Sequence, residues 1–230
     1  IAFEPNYFSS EGYYFSPYSY RAENGEIKTM QLGTDTYDYH YMDWYQIPKL
    51  LNKPYWSEPY YDDGGGEEMM TTYSKPLYDA DGKLYAIITA DLSLEWLTNL
   101  VGEIQAFNNS YNLMVSRNAS FIVHPDRDLI LNETIFSSTY GDSDESLKKL
   151  QDDIVNCRAG EVLRTKDGGK FFVFYSPVET TQWTVAIVCP RSELYMGVKT
   201  LRAMLIVLGV IALLLMIVLN YNGIRRVVAP

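Results

Sequence analysis

Residues 37–63 read YDYHYMDWYQIPKLLNKPYWSEPYYDD, and residues 84–93 read LYAIITADLS. Trp44-Tyr45 stands just ahead of a short helical run, Ile47 to Leu51. A second aromatic cluster, Tyr55, Trp56, Tyr60 and Tyr61, closes on Asp62 and Asp63. Two strand-like runs follow, Met69 to Leu77 and Leu84 to Asp91, and the Asp81-Gly82 dipeptide between them is a hairpin signal. Aromatic rings and carboxylates thus alternate over one segment. That pattern suits a small cation-binding cage, and it equally suits an aromatic core beside a solvated acidic loop.

The 230 residues are enough for one large or two small domains. Hydrophobic residues make up 47% of them, which supports a packed core. Tyr is used 20 times against 9 for Phe, as in sheets and sites whose rings pack while their hydroxyls stay wet. The net charge of −10 argues against a nucleic-acid partner and for neutral or cationic ligands. Two histidines, His40 and His124, and two cysteines, Cys157 and Cys189, form no metal-binding spacing and no nucleophile–base motif. No catalytic residue, metal or cofactor is expected. The two cysteines either pair or stay as free thiols.

Ahead of the opening stretch, YYFSPYSY (13–20) reads as a strand interrupted at Pro17, and Asn24-Gly25 turns it into a half-buried strand from Ile27 to Leu32. Gly64-Gly65-Gly66 is a loop tip; the Glu67-Glu68 that follows rules out a phosphate cradle. Ser93 caps a helix running to about Phe107, with Leu94, Leu97, Val101 and Ile104 on one face. The pattern then partly repeats. Strands are expected at Tyr111 to Val115 and Ala119 to His124, a helix from Asp144 to Cys157, and strands at Glu161 to Thr165, Lys170 to Ser176 and Trp183 to Val188. Asp167-Gly168-Gly169 turns the first pair of that last group.

From Leu201 the character changes. Ala203 to Leu219 is an uncharged apolar run of spanning length, and Arg225-Arg226 after it puts the far end in the cytoplasm by the positive-inside rule. Both ends of the chain look cut, so it is read as a fragment.

Together these residues resemble a double Cache sensor domain. WY, PYYD, a Thr/Ser strand ending Lys-Pro, a DG hairpin and ADLS are similar to its membrane-distal lobe. SRNASFIVHPD (116–126) and YSPVETTQWTVAIVCPRSEL (175–194) are similar to its membrane-proximal lobe, and IRRVVAP (224–230) resembles the opening of a HAMP linker. The resemblance implies an α+β fold of two stacked PAS-like lobes with mainly antiparallel sheets. The lobes are placed at 1–107 and 108–200, a transmembrane helix at 201–221, and a cytoplasmic linker from 222 to 230. It implies a bacterial inner-membrane receptor, expected as a homodimer, that drives a histidine kinase, chemotaxis machinery, a cyclic-dinucleotide enzyme or a serine phosphatase.

By that resemblance the ligand site falls on Tyr37, Trp44, Tyr45, Tyr60, Asp62 and Asp91. The family's arginine, two residues before the Trp, is Met42 here, and Met cannot clamp a ligand carboxylate. The expected partner is therefore a small cationic amine, or an amino acid if His40 or Lys53 replaces the arginine. Pro177, Trp183 and Val185 are assigned to structure, with Trp183 facing the base of the second lobe. The alternatives are a structural or assembly domain whose pocket is filled by Tyr39 or Met42, and a membrane-anchored enzyme.

Overall fold

The longest hairpin sets the first lobe. In the computed structural model, which describes residues 1–22, 24–63, 66–166 and 168–228, the first half runs β1 (Ala2–Phe3), β2 (Ser16–Arg21), β3 (Ile27–Leu32), α1 (Asp43–Leu51), β4 (Tyr55–Trp56), β5 (Tyr60–Tyr61), β6 (Met69–Tyr78), β7 (Leu84–Ser93) and α2 (Leu94–Gly102). β6 and β7 pair antiparallel with Thr72 opposite Asp91. Their turn is closed by the Asp79 carboxylate, which accepts from the backbone of Asp81 (3.0 Å) and Lys83 (2.8 Å). β1 adds to β7, while β4 and β5 add to β6. Under this sheet lie Tyr37, Tyr39, Trp44, Tyr45 and Ile87 in one apolar cluster.

The second lobe runs β8 (Tyr111–Val115), β9 (Phe121–Val123), α3 (Glu145–Val155), β10 (Gly160–Lys166), β11 (Gly169–Pro177) and β12 (Thr184–Pro190). Its five-stranded antiparallel sheet has the order β10-β11-β12-β8-β9. Leu147, Leu150 and Ile154 of α3 close its core, as their helical spacing predicts. A short helix, α4 (Arg191–Leu194), follows β12, and α5 (Met196–Val228) is one continuous helix. Within it, Met196–Ile224 is long and apolar enough to cross a membrane, and none of it is buried against the protein.

Several local expectations change. The first helix starts at Asp43, not Ile47, so Trp44 and Tyr45 lie inside it together with Pro48. The backbone N–H groups of Tyr45 and Gln46 both reach the Met42 carbonyl, which opens the helix a turn early. α2 stops at Gly102 and Ile104 is exposed, because the Asn112 side chain takes the freed carbonyls of Val101 (2.8 Å) and Ile104 (2.5 Å). β3 is exposed along its length except at Leu32, since it pairs with β2 alone and no layer covers the ribbon. Pro17 lies within β2 rather than interrupting it. Between α4 and α5 the helix is broken at Tyr195. Both cysteines are free, Cys157 exposed and Cys189 buried. Gly64, Gly65, Asp167, Ala229 and Pro230, which carry parts of the expected loop tip, turn and linker, lie outside the described residues.

Trp183 is the largest correction. It is buried, but it packs into a cluster that joins the lobes: Leu94, Leu97 and Val101 of α2 against Met114, Ile122 and Val123 of the second sheet. Its ring meets Trp56 of the first sheet edge-on at 5.4 Å. Arg117 completes the joint, with its guanidinium 4.5 Å over the Tyr55 ring and a hydrogen bond to the Trp56 carbonyl (3.0 Å).

Candidate functional site

On β7, Asp91 ends the alternation of the strand and turns its carboxylate to an open cavity of about 850 Å³ in the first lobe. Thr72, directly across the ladder, donates to Asp91 Oδ1 (2.8 Å), and Tyr60 reaches the same hydroxyl at 2.7 Å. Cross-strand neighbours thus place a Tyr–Thr–Asp chain at the cavity floor. The surrounding walls desolvate Asp91 although it is open to solvent, and this raises its carboxyl above the ordinary value. The Thr72 hydrogen bond opposes that shift, and the nearby Asp62 charge adds to it.

Asp62 itself is buried and internally satisfied. It accepts from the Tyr37 hydroxyl (3.0 Å) and from the Gly66 backbone (2.6 Å), which ties down the loop after β5. A Cβ at Gly66 would displace the flexible end of the Met70 side chain and crowd the Tyr18 hydroxyl at 3.3 Å. Burial, then the Asp62 charge, pushes the Tyr37 hydroxyl well above its usual range, so it stays protonated as the donor. Burial does the same to Tyr60.

The structure therefore gathers Tyr37, Tyr60, Asp62 and Asp91, and among these Asp91 lines the cavity. Trp44 and Tyr45 do not line it. Both are buried in the cluster beneath the sheet, and the Tyr45 hydroxyl donates to Glu4 (2.6 Å), which also holds Lys49 (2.7 Å). Tyr39 and Met42 belong to that same apolar cluster and do not fill the cavity. His40 is committed to Asp38 (2.9 Å) and the Phe3 carbonyl (3.3 Å), and Lys53 lines a separate groove between the lobes.

The residues that the sequence reading missed come from the β2–β3 ribbon. Tyr18 and Tyr20 wall the cavity, stacked at 6.0 Å, and the Tyr18 hydroxyl, turned toward Asp91, opposes the rise of its carboxyl. Their signal was legible as two tyrosines at strand spacing beside an Asn-Gly turn. The charged side chains on the lining are Asp91, Glu67 and Glu68 against one guanidinium, Arg21, which donates to the Gly25 carbonyl (2.9 Å), and the Ile1 ammonium lies on the same wall.

Residues 1–99 match the family model described as methyl-accepting chemotaxis protein-like, first PDC sensor domain. The extracellular domain mmHK1S-Z3, assigned to a histidine kinase, is 29% identical, with 87% of this chain and 75% of that one covered and a TM-score of 0.71. Two amino-acid chemoreceptor domains share the fold at lower identity. PctB of Pseudomonas aeruginosa PAO1, solved with L-Arg, is 20% identical over 79% of this chain and 68% of its own, with a TM-score of 0.57. CtaA of Pseudomonas fluorescens, solved with L-isoleucine, is 19% identical over 74% and 66%, with a TM-score of 0.55. The antiparallel lobes, the cavity at the end of β7 and these likenesses make the chain a PDC/Cache-like sensor domain of the chemoreceptor and histidine-kinase kind, followed by a helix that fits a membrane span.

Proposed function

We propose that this sensor is the ligand-binding part of a homodimeric bacterial receptor, and that its first-lobe cavity takes a small organic cation, either an amine or the ammonium group of an amino acid. In this reading residues 1–107 and 108–200 are the two lobes outside the membrane. Residues 201–221 span it, and Arg225-Arg226 mark the cytoplasmic side. The carrying observation is the charge of the lining, three carboxylates against the Arg21 guanidinium and the Ile1 ammonium, with Asp91 held by Thr72. A carboxylate desolvated by its walls and crowded by Asp62 gains from a bound cation, and Tyr18 and Tyr20 supply ring faces beside it. The amino acids held by PctB and CtaA support the amino-acid form, for which Arg21 is the basic side chain on the lining. Signal leaves through β12, α4 and α5, and it requires that the ligand bind two receptor states unequally. Calorimetric titration of the full chain in detergent, against n-butylamine and a panel of amino acids, tests the reading. Saturable binding that Asp91→Asn weakens by roughly 10- to 100-fold is expected. Binding of carboxylates alone, or binding untouched by that substitution, would refute it.

A further inference from the structure

The second lobe contains a cavity of its own, about 760 Å³, between its sheet and the segment leading into α3. Its floor is apolar, with Leu113, Phe121, Ile135 and Val173 drawn from the lobe's core. One strand breaks that pattern. On β10 the alternate positions Val162, Arg164 and Lys166 share a face. Val162 is buried in the core as that face demands, yet the next two positions are basic and both line the cavity. Arg164 is half-buried there and Lys166, at the strand end, is exposed at the cavity mouth.

Their hydrogen-bonding capacity is unfilled. The Arg164 side chain is 15% exposed and one nitrogen pairs with Asp142 (2.6 Å), but its Nε is fully buried without a partner. Leaving such a donor unmet in the folded state is unfavourable, and a ligand oxygen would meet it. The Lys166 side chain makes no hydrogen bond among the described residues. His124, on the same lining, turns Nδ1 to the Asp126 backbone, 3.0 Å from its N–H and 3.2 Å from its carbonyl. Nε2 has no partner among the described residues. Burial holds that ring below its ordinary range, so it is neutral at pH 7, and in the tautomer that accepts the Asp126 N–H it offers Nε2–H to the cavity. Arg164, Lys166 and His124 thus line the same apolar-floored cavity. Two acids share the lining: Asp126 accepts from the Asp128 backbone (3.1 Å), and neither it nor Glu133 forms an ion pair with Arg164 or Lys166.

We infer that the second lobe is an independent binding site for a small organic monocarboxylate, its carboxylate held by Arg164, Lys166 and His124 and its apolar tail lying on Leu113, Phe121 and Ile135. Glu133 on the lining works against a second carboxylate, which sets the class at one anionic end and one apolar end. This site stands on different residues from the Asp91 cavity and does not depend on it.

Phenylacetate is a suitable probe, with 2-phenylethanol and phenethylamine as partners of the same ring and different ends. Titrated into the full chain in detergent, phenylacetate should bind at least tenfold more tightly than the alcohol, and at least tenfold more tightly than phenethylamine once Asp91→Asn has weakened the amine's binding in the first lobe. Lys166→Gln, at a side chain with no partner to lose, should weaken phenylacetate about tenfold, as expected for one charge-assisted hydrogen bond, with unchanged melting. Asp91→Asn should leave it unaltered. Phenylacetate binding no tighter than the alcohol, insensitivity to Lys166→Gln, or loss on Asp91→Asn would each overturn the inference.

Discussion

Asp91 carries a cost in the fold and a use in the site. Its carboxyl titrates above the ordinary 3.8 in the folded chain, so the folded state holds a proton that the unfolded chain releases. Stability from this group is therefore greatest below pH 3.8 and declines as pH rises through the folded value. Asp91→Asn should melt at or above the parent at pH 7 and lose that advantage near pH 3. The same substitution should weaken cation binding by roughly 10- to 100-fold, one charge-assisted hydrogen bond of about 1.5–3 kcal/mol. Cation affinity should also fall as pH drops through the raised value, because the protonated acid no longer attracts an ammonium. Melting curves and calorimetry at the two pH values read all three effects. Tyr45 makes the opposite case. Its hydroxyl serves Glu4, so Tyr45→Phe should cost about 1 kcal/mol of stability and leave ligand affinity unchanged, measured by urea melting beside the same titration.

The strands were the legible part of this chain. Hairpins at Asp81-Gly82 and Asn24-Gly25 declare themselves through turn chemistry, and β6, β7 and β10 to β12 fall where alternation places them. Helix ends were less legible, because α2 is stopped by Asn112, eight or more residues away, and no local signal encodes that competition. The site was legible in its acids and less so in its rings. Asp91 is fixed by the end of β7, whereas Trp44 and Tyr45 belong by sequence to the aromatic stretch and by packing to the core. Tyr18 and Tyr20 enter the wall only through the placement of a ribbon more than forty residues before the hairpin, which the pattern of either segment alone does not contain. Trp183 shows the same limit for a structural residue. Its burial follows from its type, but its neighbour across the joint, Trp56, lies in the other lobe. Trp183→Ala should cost about 3–5 kcal/mol, and chemical denaturation should then show two transitions in place of one, as the lobes lose their shared cluster.

The two free thiols offer a native test of topology. Cys157 is exposed at the end of α3 and Cys189 is buried in β12. A membrane-impermeant maleimide should label Cys157 in intact cells and reach Cys189 only after denaturation. Labelling of Cys157 that requires permeabilised cells would place the lobes in the cytoplasm. β12 also constrains how any signal travels. It begins beside Trp183 at the joint between the lobes and ends at Pro190, where α4 departs toward the apolar helix. Its seven residues make a rod of about 23 Å. That rod sits in the middle of its sheet, laddered to β11 on one side and β8 on the other. Sliding it alone would shear both ladders at once, so it is a spar glued into a plate and not a piston in a sleeve. In the proposed receptor, force applied at the joint would tilt the entire plate, and α5 would move as the handle of a lever whose pivot is the Trp56–Trp183 contact. Spin-label distances within the second lobe should accordingly stay fixed on ligand binding, while distances from the first lobe to the start of α5 change.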